Sequence, residues 1–168
     1  MTRRLLVVRH AIAEDRAEHS GDDAARPLSA KGKRRFKAGA RGIVRLTGRI
    51  DQVVSSPLVR ARETAALLVA ACAKTPQRAE TDALVPGAHP RELADWLQSE
   101  GRPGTVAVVG HEPNLSHLVS WLAASSRRSF VRLKKGSAVL LELPAGPEAG
   151  TAVLAWALTP AQLRTLGG

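Results

Sequence analysis

The stretch LLVVRHAIAED, residues 5–15, decides the fold class and points to the chemistry. Leu5 to Val8 form an apolar run without polar alternation, the pattern of a strand buried on both faces of a parallel sheet. The run then stops on Arg9 and His10, side by side. An arginine and a histidine at the end of a buried strand either reach solvent or belong to a site.

Working outward, short apolar runs alternate with helical patterns, which predicts an α/β sheet with helices on its faces. RRLLVVRH is the first strand. RPLS then supplies a Pro turn and a Ser29 N-cap for a helix to about Thr47, with Phe36, Ala40, Ile43 and Val44 on its apolar side. Gly39 and Gly42 weaken that helix, so packing must hold it. DQVVSS is the second strand, followed by Pro57 at the start of a helix to about Ala73. RAETDALV reads as a short third strand, and Pro90–Glu100 as a helix with Leu93, Trp96 and Leu97 on one face. TVAVVGH is the fourth strand. The helix after it carries Leu115, Leu118, Val119 and Leu122, and SAVLLELP and TAVLAWALTP close the chain as an antiparallel hairpin around AGPEAG. The expected architecture is a three-layer α/β/α sandwich with a mostly parallel central sheet and a C-terminal antiparallel hairpin, one domain over residues 1–168.

Composition bounds the function. No apolar run approaches the roughly 20 residues of a membrane span, and MTRRLLVVRH has too short an apolar core for a signal peptide, so a cytoplasmic location is expected. The single cysteine, Cys72, leaves no internal disulfide or paired-cysteine zinc site. The formal charge is +10, and nine Lys or Arg with no acid lie between Ala24 and Ile50. Such a flank either solvates a helix face or docks something acidic. Three Trp, two Phe and no Tyr are too few for base-stacking platforms, which disfavours single-stranded nucleic acid as a partner.

Three strands end alike. The first ends on Arg9 and His10, the second runs through Ser55 and Ser56 to the helix-borne Arg60, and the fourth ends on Gly110 and His111. Ligands of open α/β sheets bind at the carboxyl ends of the strands, so parallel neighbours would gather two guanidiniums and two imidazoles. That set suits a dianionic phosphoryl group and opposes a metal dication. No P-loop, dinucleotide fingerprint or serine elbow is present, and no cofactor or metal is expected. The chemistry these residues permit is two-step phosphoryl transfer through phosphorylated His10.

The motifs LLVVRHA, RPLSAKG, VVSSPLVRARETA and VAVVGHEPNLSHL, in this order and over nearly the whole chain, resemble the histidine phosphatase superfamily, with its phosphoglycerate mutase-like fold, and within it the small SixA-type phosphohistidine phosphatases. The resemblance implies that His10 is the phosphorylated nucleophile, that Arg9 and Arg60 bind phosphate, and that His111 completes the pocket. Ala11 stands where many members have glycine, which is tolerable where the backbone is not at positive φ. Larger relatives take their general acid from the segment after the third strand, but LVPGAHP has no carboxylate there. Glu112 has two readings: proton donor to the leaving group, or helix N-terminal acid favoured by the dipole. Arg26 either lines the pocket rim as a substrate-binding residue or anchors the turn, Ser29 is read as a helix cap, and Ser56 as a cap whose hydroxyl would lie near the phosphate. His19, His89 and His117 are read as solvated or structural.

The expected function is a metal-independent phosphatase. No connection is long enough for a large lid, and an open pocket suits a phosphorylated protein such as a histidine phosphotransfer domain. A small phosphomonoester is the second candidate substrate, and an idle polyanion-binding module is the rival from another class. A monomer or a symmetric dimer both fit the chain.

Overall fold

The computed structural model describes residues 3–168. Met1 and Thr2, the first residues of the segment read against a signal peptide, lie outside the described residues. Along the chain run β1 (Arg3–Arg9), α1 (Ala30–Thr47), β2 (Gln52–Ser55), α2 (Val59–Ala71), β3 (Gln77–Glu80), α3 (Pro90–Ser99), β4 (Thr105–Gly110), α4 (Asn114–Ala124), β5 (Ala138–Leu143), β6 (Val153–Leu158) and α5 (Pro160–Gly167).

The six strands form one sheet in the order β3-β2-β4-β1-β5-β6. Pairings β3–β2, β2–β4 and β4–β1 are parallel, whereas β1–β5 and β5–β6 are antiparallel. Alternate residues of the same strands feed two cores. Leu5, Val7, Val106 and Val108 pack under Leu93 and Leu97 of α3 and Leu115, Leu118 and Leu122 of α4. Leu6, Val8, Ala107 and Val109 pack under Phe36 and Ile43 of α1, Ala65 and Leu68 of α2 and Leu163 of α5. Leu5 to Val8 are all fully buried, which is why the run carries no polar residue. Helices on both faces of a mostly parallel sheet are the three layers expected. Among the described residues no helix is long and apolar enough to cross a membrane.

Local differences from the sequence reading have local causes. The third strand ends at Glu80 rather than running through RAETDALV, because the Thr81 hydroxyl accepts the Ala83 N–H and turns the chain into a single 3-10 turn over Asp82–Leu84. The second helix begins at Val59, not at Pro57: Leu58 stays extended, its N–H donated to the Ser56 hydroxyl. It also ends at Ala71, earlier than the expected Ala73. The last strand stops at Leu158, and Thr159, Pro160 and Gln162 start α5 with a capping box.

That final helix explains the glycines of α1. A Cβ on Gly42 would overlap the Leu163 carbonyl, and one on Gly167 would overlap the Ala38 carbonyl, so the two helices meet backbone to backbone. Arg41 and Arg45 extend the contact by donating to the Gly167, Gly168 and Leu166 carbonyls at the C-terminus of α5. Part of the basic flank therefore has a structural use.

An alanine inside a helix ordinarily stabilises it over glycine by about 1 kcal/mol. Gly42→Ala should do the opposite, lowering stability by about 1–3 kcal/mol through overpacking against Leu163. Urea unfolding of the two proteins measures the sign.

Candidate phosphate-handling site

The sheet order places the site. β1 feeds α1 on one face while its neighbour β4 feeds α4 on the other, so a crevice opens between their carboxyl ends. In the β1–β4 ladder Arg9 lies opposite Gly110, and the His10 N–H donates to the Gly110 carbonyl at 3.0 Å. On the other side of β4, Ser55 pairs with Val109 and the Ser56 N–H donates to the Val109 carbonyl. One residue further along, the three strands deliver His10, His111 and Ser56 together. Arg60 arrives in the first turn of α2.

The two imidazoles have ring centroids 5.1 Å apart at 52°. His10, His111 and Arg60 are 5%, 3% and 4% exposed, low values for groups that can carry charge. The His10 Nδ1 lies 2.7 Å from the Ala11 carbonyl oxygen. A carbonyl only accepts, so Nδ1 holds the proton and a neutral His10 carries its lone pair on Nε2. His111 Nε2 lies 2.9 Å from the Ser56 hydroxyl. Arg9 Nη1 donates to the Leu133 carbonyl at 2.7 Å, and Arg60 donates through Nη1 to the Asp23 carbonyl at 2.8 Å and through Nη2 to Asp23 Oδ2 at 3.1 Å. Arg9 Nε, Arg60 Nε and His111 Nδ1 are buried without a protein partner. Unpaired buried polar atoms are rare and concentrate where a ligand supplies the partner.

Burial is the main electrostatic force here. It lowers His10 to about 3, with His111, Arg60 and Arg9 adding to the effect and the Ala11 hydrogen bond opposing it. It lowers His111 to about 4, with Arg60 adding and Asp23 opposing. The neighbouring cations contribute to keeping His10 neutral, but desolvation outweighs them. Burial also pulls down Arg9 and Arg60, against Glu112 and Asp23 respectively.

The structure brings Arg9, His10, Arg60 and His111 to one crevice. Arg26 does what the turn-anchoring alternative describes: its Nε donates to Asp23 Oδ1 at 2.9 Å and its Nη1 to the Glu14 carbonyl at 2.7 Å. Glu112 Oε1 accepts the Ser116 N–H at 2.9 Å, the geometry of a helix N-terminal acid, while its charge is felt at Arg9. Ser29 caps α1 by accepting the Gly32 N–H. Ala11 has an ordinary negative φ; among the described residues Ser125 is the one non-glycine at positive φ. The alanine is therefore accommodated. No group of three or more His, Cys, Asp or Glu side chains that could hold a metal ion occurs among the described residues.

Two features escaped the sequence. Asp23, in the polar loop, binds Arg60, Arg26 and Arg16, and these arginines hold its carboxyl down at about 2 against the cost of burial. Thr64 accepts the Ala11 N–H and donates to the Arg60 carbonyl, tying the loop after β1 to α2. Only the i, i+4 spacing of Arg60 and Thr64 hinted at the second, and nothing local hinted at the first.

Residues 5–83 match the model of the histidine phosphatase superfamily (branch 1). The chain is 33% identical over 137 residues to an uncharacterised protein of Picosynechococcus sp., covering 80% of this chain and 82% of that one. A solved protein histidine phosphatase SixA, complexed with tungstate, superposes with a TM-score of 0.81 at 22% identity, over 95% of this chain and 99% of that one. The alpha-ribazole phosphatase of Shigella flexneri superposes with a TM-score of 0.72 at 16% identity, over 94% and 96% of the two chains. These two likenesses are of fold.

The unfolded chain protonates His10 and His111 near 6.5, whereas the folded chain resists until about 3 and 4. Between these values the unfolded state binds more protons, so stability rises with pH across that window and falls as pH drops from about 6.5 toward 4. Asp23 acts in the same direction only below its ordinary value of 3.8. Melting temperature should therefore decline from pH 7 to pH 4.5, less steeply in His10→Gln. Imidazole ¹⁵N spectra should show His10 neutral and protonated on Nδ1 throughout that range.

Proposed function

The chain belongs to the histidine phosphatase superfamily and is a phosphatase, and from that premise we propose that it hydrolyses phosphohistidine on a signalling phosphotransfer protein in the cytoplasm, through a phosphorylated His10, as one catalytic domain over residues 1–168. The observation that carries the mechanism is the His10 tautomer. With Nδ1–H held by Ala11, the lone pair of Nε2 is available at neutral pH.

In the first step Nε2 attacks phosphorus in line, the phosphorus–leaving-group bond breaks, and the leaving nitrogen or oxygen takes a proton. In the second step water attacks the phosphohistidine and gives a proton to the carboxylate that protonated the leaving group, the phosphorus–Nε2 bond breaks, and His10 departs as the neutral Nδ1–H tautomer. Arg9, Arg60 and His111 hold the equatorial oxygens, supported by the three buried polar atoms that lack protein partners. The tungstate carried by the SixA structure is a tetrahedral oxyanion and fits the same reading. We assign leaving-group protonation to Glu112 through Oε2, since Oε1 is committed to Ser116 and both oxygens of Asp23 are committed to arginines. Arg26 serves by orienting Asp23, and through it Arg60, rather than by meeting substrate itself.

Phosphohistidine is favoured because its leaving imidazole can be protonated before the bond breaks, so the reaction depends little on a strong acid. The alpha-ribazole phosphatase among the fold neighbours supports a second reading, a small-molecule phosphomonoesterase.

Rapid mixing with a phosphohistidine-bearing phosphotransfer domain should leave acid-labile phosphate on the wild type and none on His10→Ala, with loss of phosphate from the partner. A partner that keeps its phosphate while a small phosphomonoester is turned over efficiently overturns the protein-substrate reading. Arg60→Ala should lower kcat/KM about a hundredfold. Asp23→Asn, which removes an orienting charge-assisted bond, should lower it about tenfold.

A further inference from the structure

Beside the crevice, at the same end of the sheet, lies a second cavity of about 510 Å³ between α1, the start of α5 and the chain segment that leads into β5. β6 runs antiparallel to β5, with Leu158 opposite Ala138, which brings Thr159 and Pro160 to the end where β1 delivers Arg9. Arg9 and Ala11 line the cavity too, so it is continuous with the site already described. Its charge is one-sided. Arg9, Arg35, Lys134, Lys135 and Arg164 line it, no acidic residue does, and none of the five is ion-paired among the described residues. By contrast Lys33 and Arg49 of the same basic flank hold Glu63 and Asp51, and Arg41 and Arg45 hold the end of α5. Like charges left unpaired around one concavity repel one another, and an anion relieves that repulsion.

We propose that this cavity is a docking subsite for an acidic segment of the phosphoprotein substrate, filled while the neighbouring phosphohistidine occupies the His10 crevice. The inference rests on the phosphoprotein reading above. A carboxylate side chain fits better than a second phosphate for two reasons. The cations come from four separate parts of the chain, β1, α1, the segment before β5 and α5, which suits carboxylates spread along a segment, whereas a phosphate site concentrates its donors. The floor is apolar, with Ile12, Phe36 and Pro160, and takes the methylene stem of a glutamate while its head meets the rim. Gly136, at φ +84°, brings the segment close over Phe36 and Pro160, where a Cβ would lie 3.6 and 3.7 Å from them.

Amide ¹H–¹⁵N titration of the full chain with a hexaglutamate peptide should move Arg35, Lys135, Gly136 and Ala161, in His10→Ala as in the wild type. The shifts should vanish in Arg35→Glu/Lys135→Glu, and should weaken in the milder Arg35→Gln/Lys135→Gln and with added salt. Both pairs are exposed positions, so the fold is preserved, and thermal melting verifies it. With phosphohistidine peptides flanked by glutamates or by glutamines, the charge reversal should raise KM for the acidic peptide about tenfold. It should leave kcat and the glutamine peptide unchanged. Absent or unaltered shifts overturn the subsite, as does tripolyphosphate moving these amides where hexaglutamate does not. Shifts as expected, with neither phosphopeptide hydrolysed, leave the cavity an acidic-peptide site and overturn the phosphohistidine reading alone.

Discussion

Everything at the site depends on the parallel pairing of β1 with β4, in which Arg9 faces Gly110. The register sets His10 and His111 one step beyond the ladder on adjacent strands, and a slip of one residue would send one imidazole to the opposite face. The pairing is secured by apolar residues that have nothing to do with chemistry. Leu5 to Val8 and Val106 to Val109 are buried on both sides, so no alternative register keeps the same contacts. A core requirement thus fixes the relative position of two imidazoles far apart in sequence.

Burial then supplies what the imidazoles need. A histidine at a strand end, in water, would be half protonated near neutrality and free to choose its tautomer. At 5% exposure, with the Ala11 carbonyl on Nδ1, His10 has neither freedom. The guanidiniums meet the opposite problem, since desolvation penalises a charge that must stay. Asp23 answers it for Arg60 with a carboxylate and a backbone carbonyl, and the Leu133 carbonyl and the charge of Glu112 answer it for Arg9.

The layers, and the convergence of Arg9, His10, Arg60 and His111 at the carboxyl ends of the strands, were legible because each signal was local and repeated. A continuous apolar run marks a doubly buried strand, and three such runs ended on polar side chains. Helix α5 was missed although Thr159, Pro160 and Gln162 spell a capping box with proline at N1, because the apolar run before it was read as extending to Pro160. Asp23 could not be found in that way. Its partners Arg60 and Arg26 are assembled by the return of the chain from Ala13 to Leu28, a pairing set by tertiary structure and invisible in the spacing of a polar loop. The ambiguity over Glu112 had the same origin, since a carboxylate after a strand-end histidine satisfies a helix terminus and a catalytic crevice equally well in sequence.

Asp23 also bears on how tightly a phosphate should be held. Its carboxylate takes one N–H of Arg60 Nη2 and its carbonyl one N–H of Nη1, so an incoming dianion meets a guanidinium with two of its five donors already committed. The bond that orients Arg60 therefore also reduces its attraction for a ground-state phosphate. Tight binding of phosphate would be a disadvantage to a phosphatase, because phosphate is its product and slow release limits turnover. An arginine fixed in direction by a carboxylate that it shares with Arg16 and Arg26 would, under the proposed mechanism, favour the transferring phosphoryl group by geometry more than by net charge. That division matches a hydrolase that must let go of what it has cleaved.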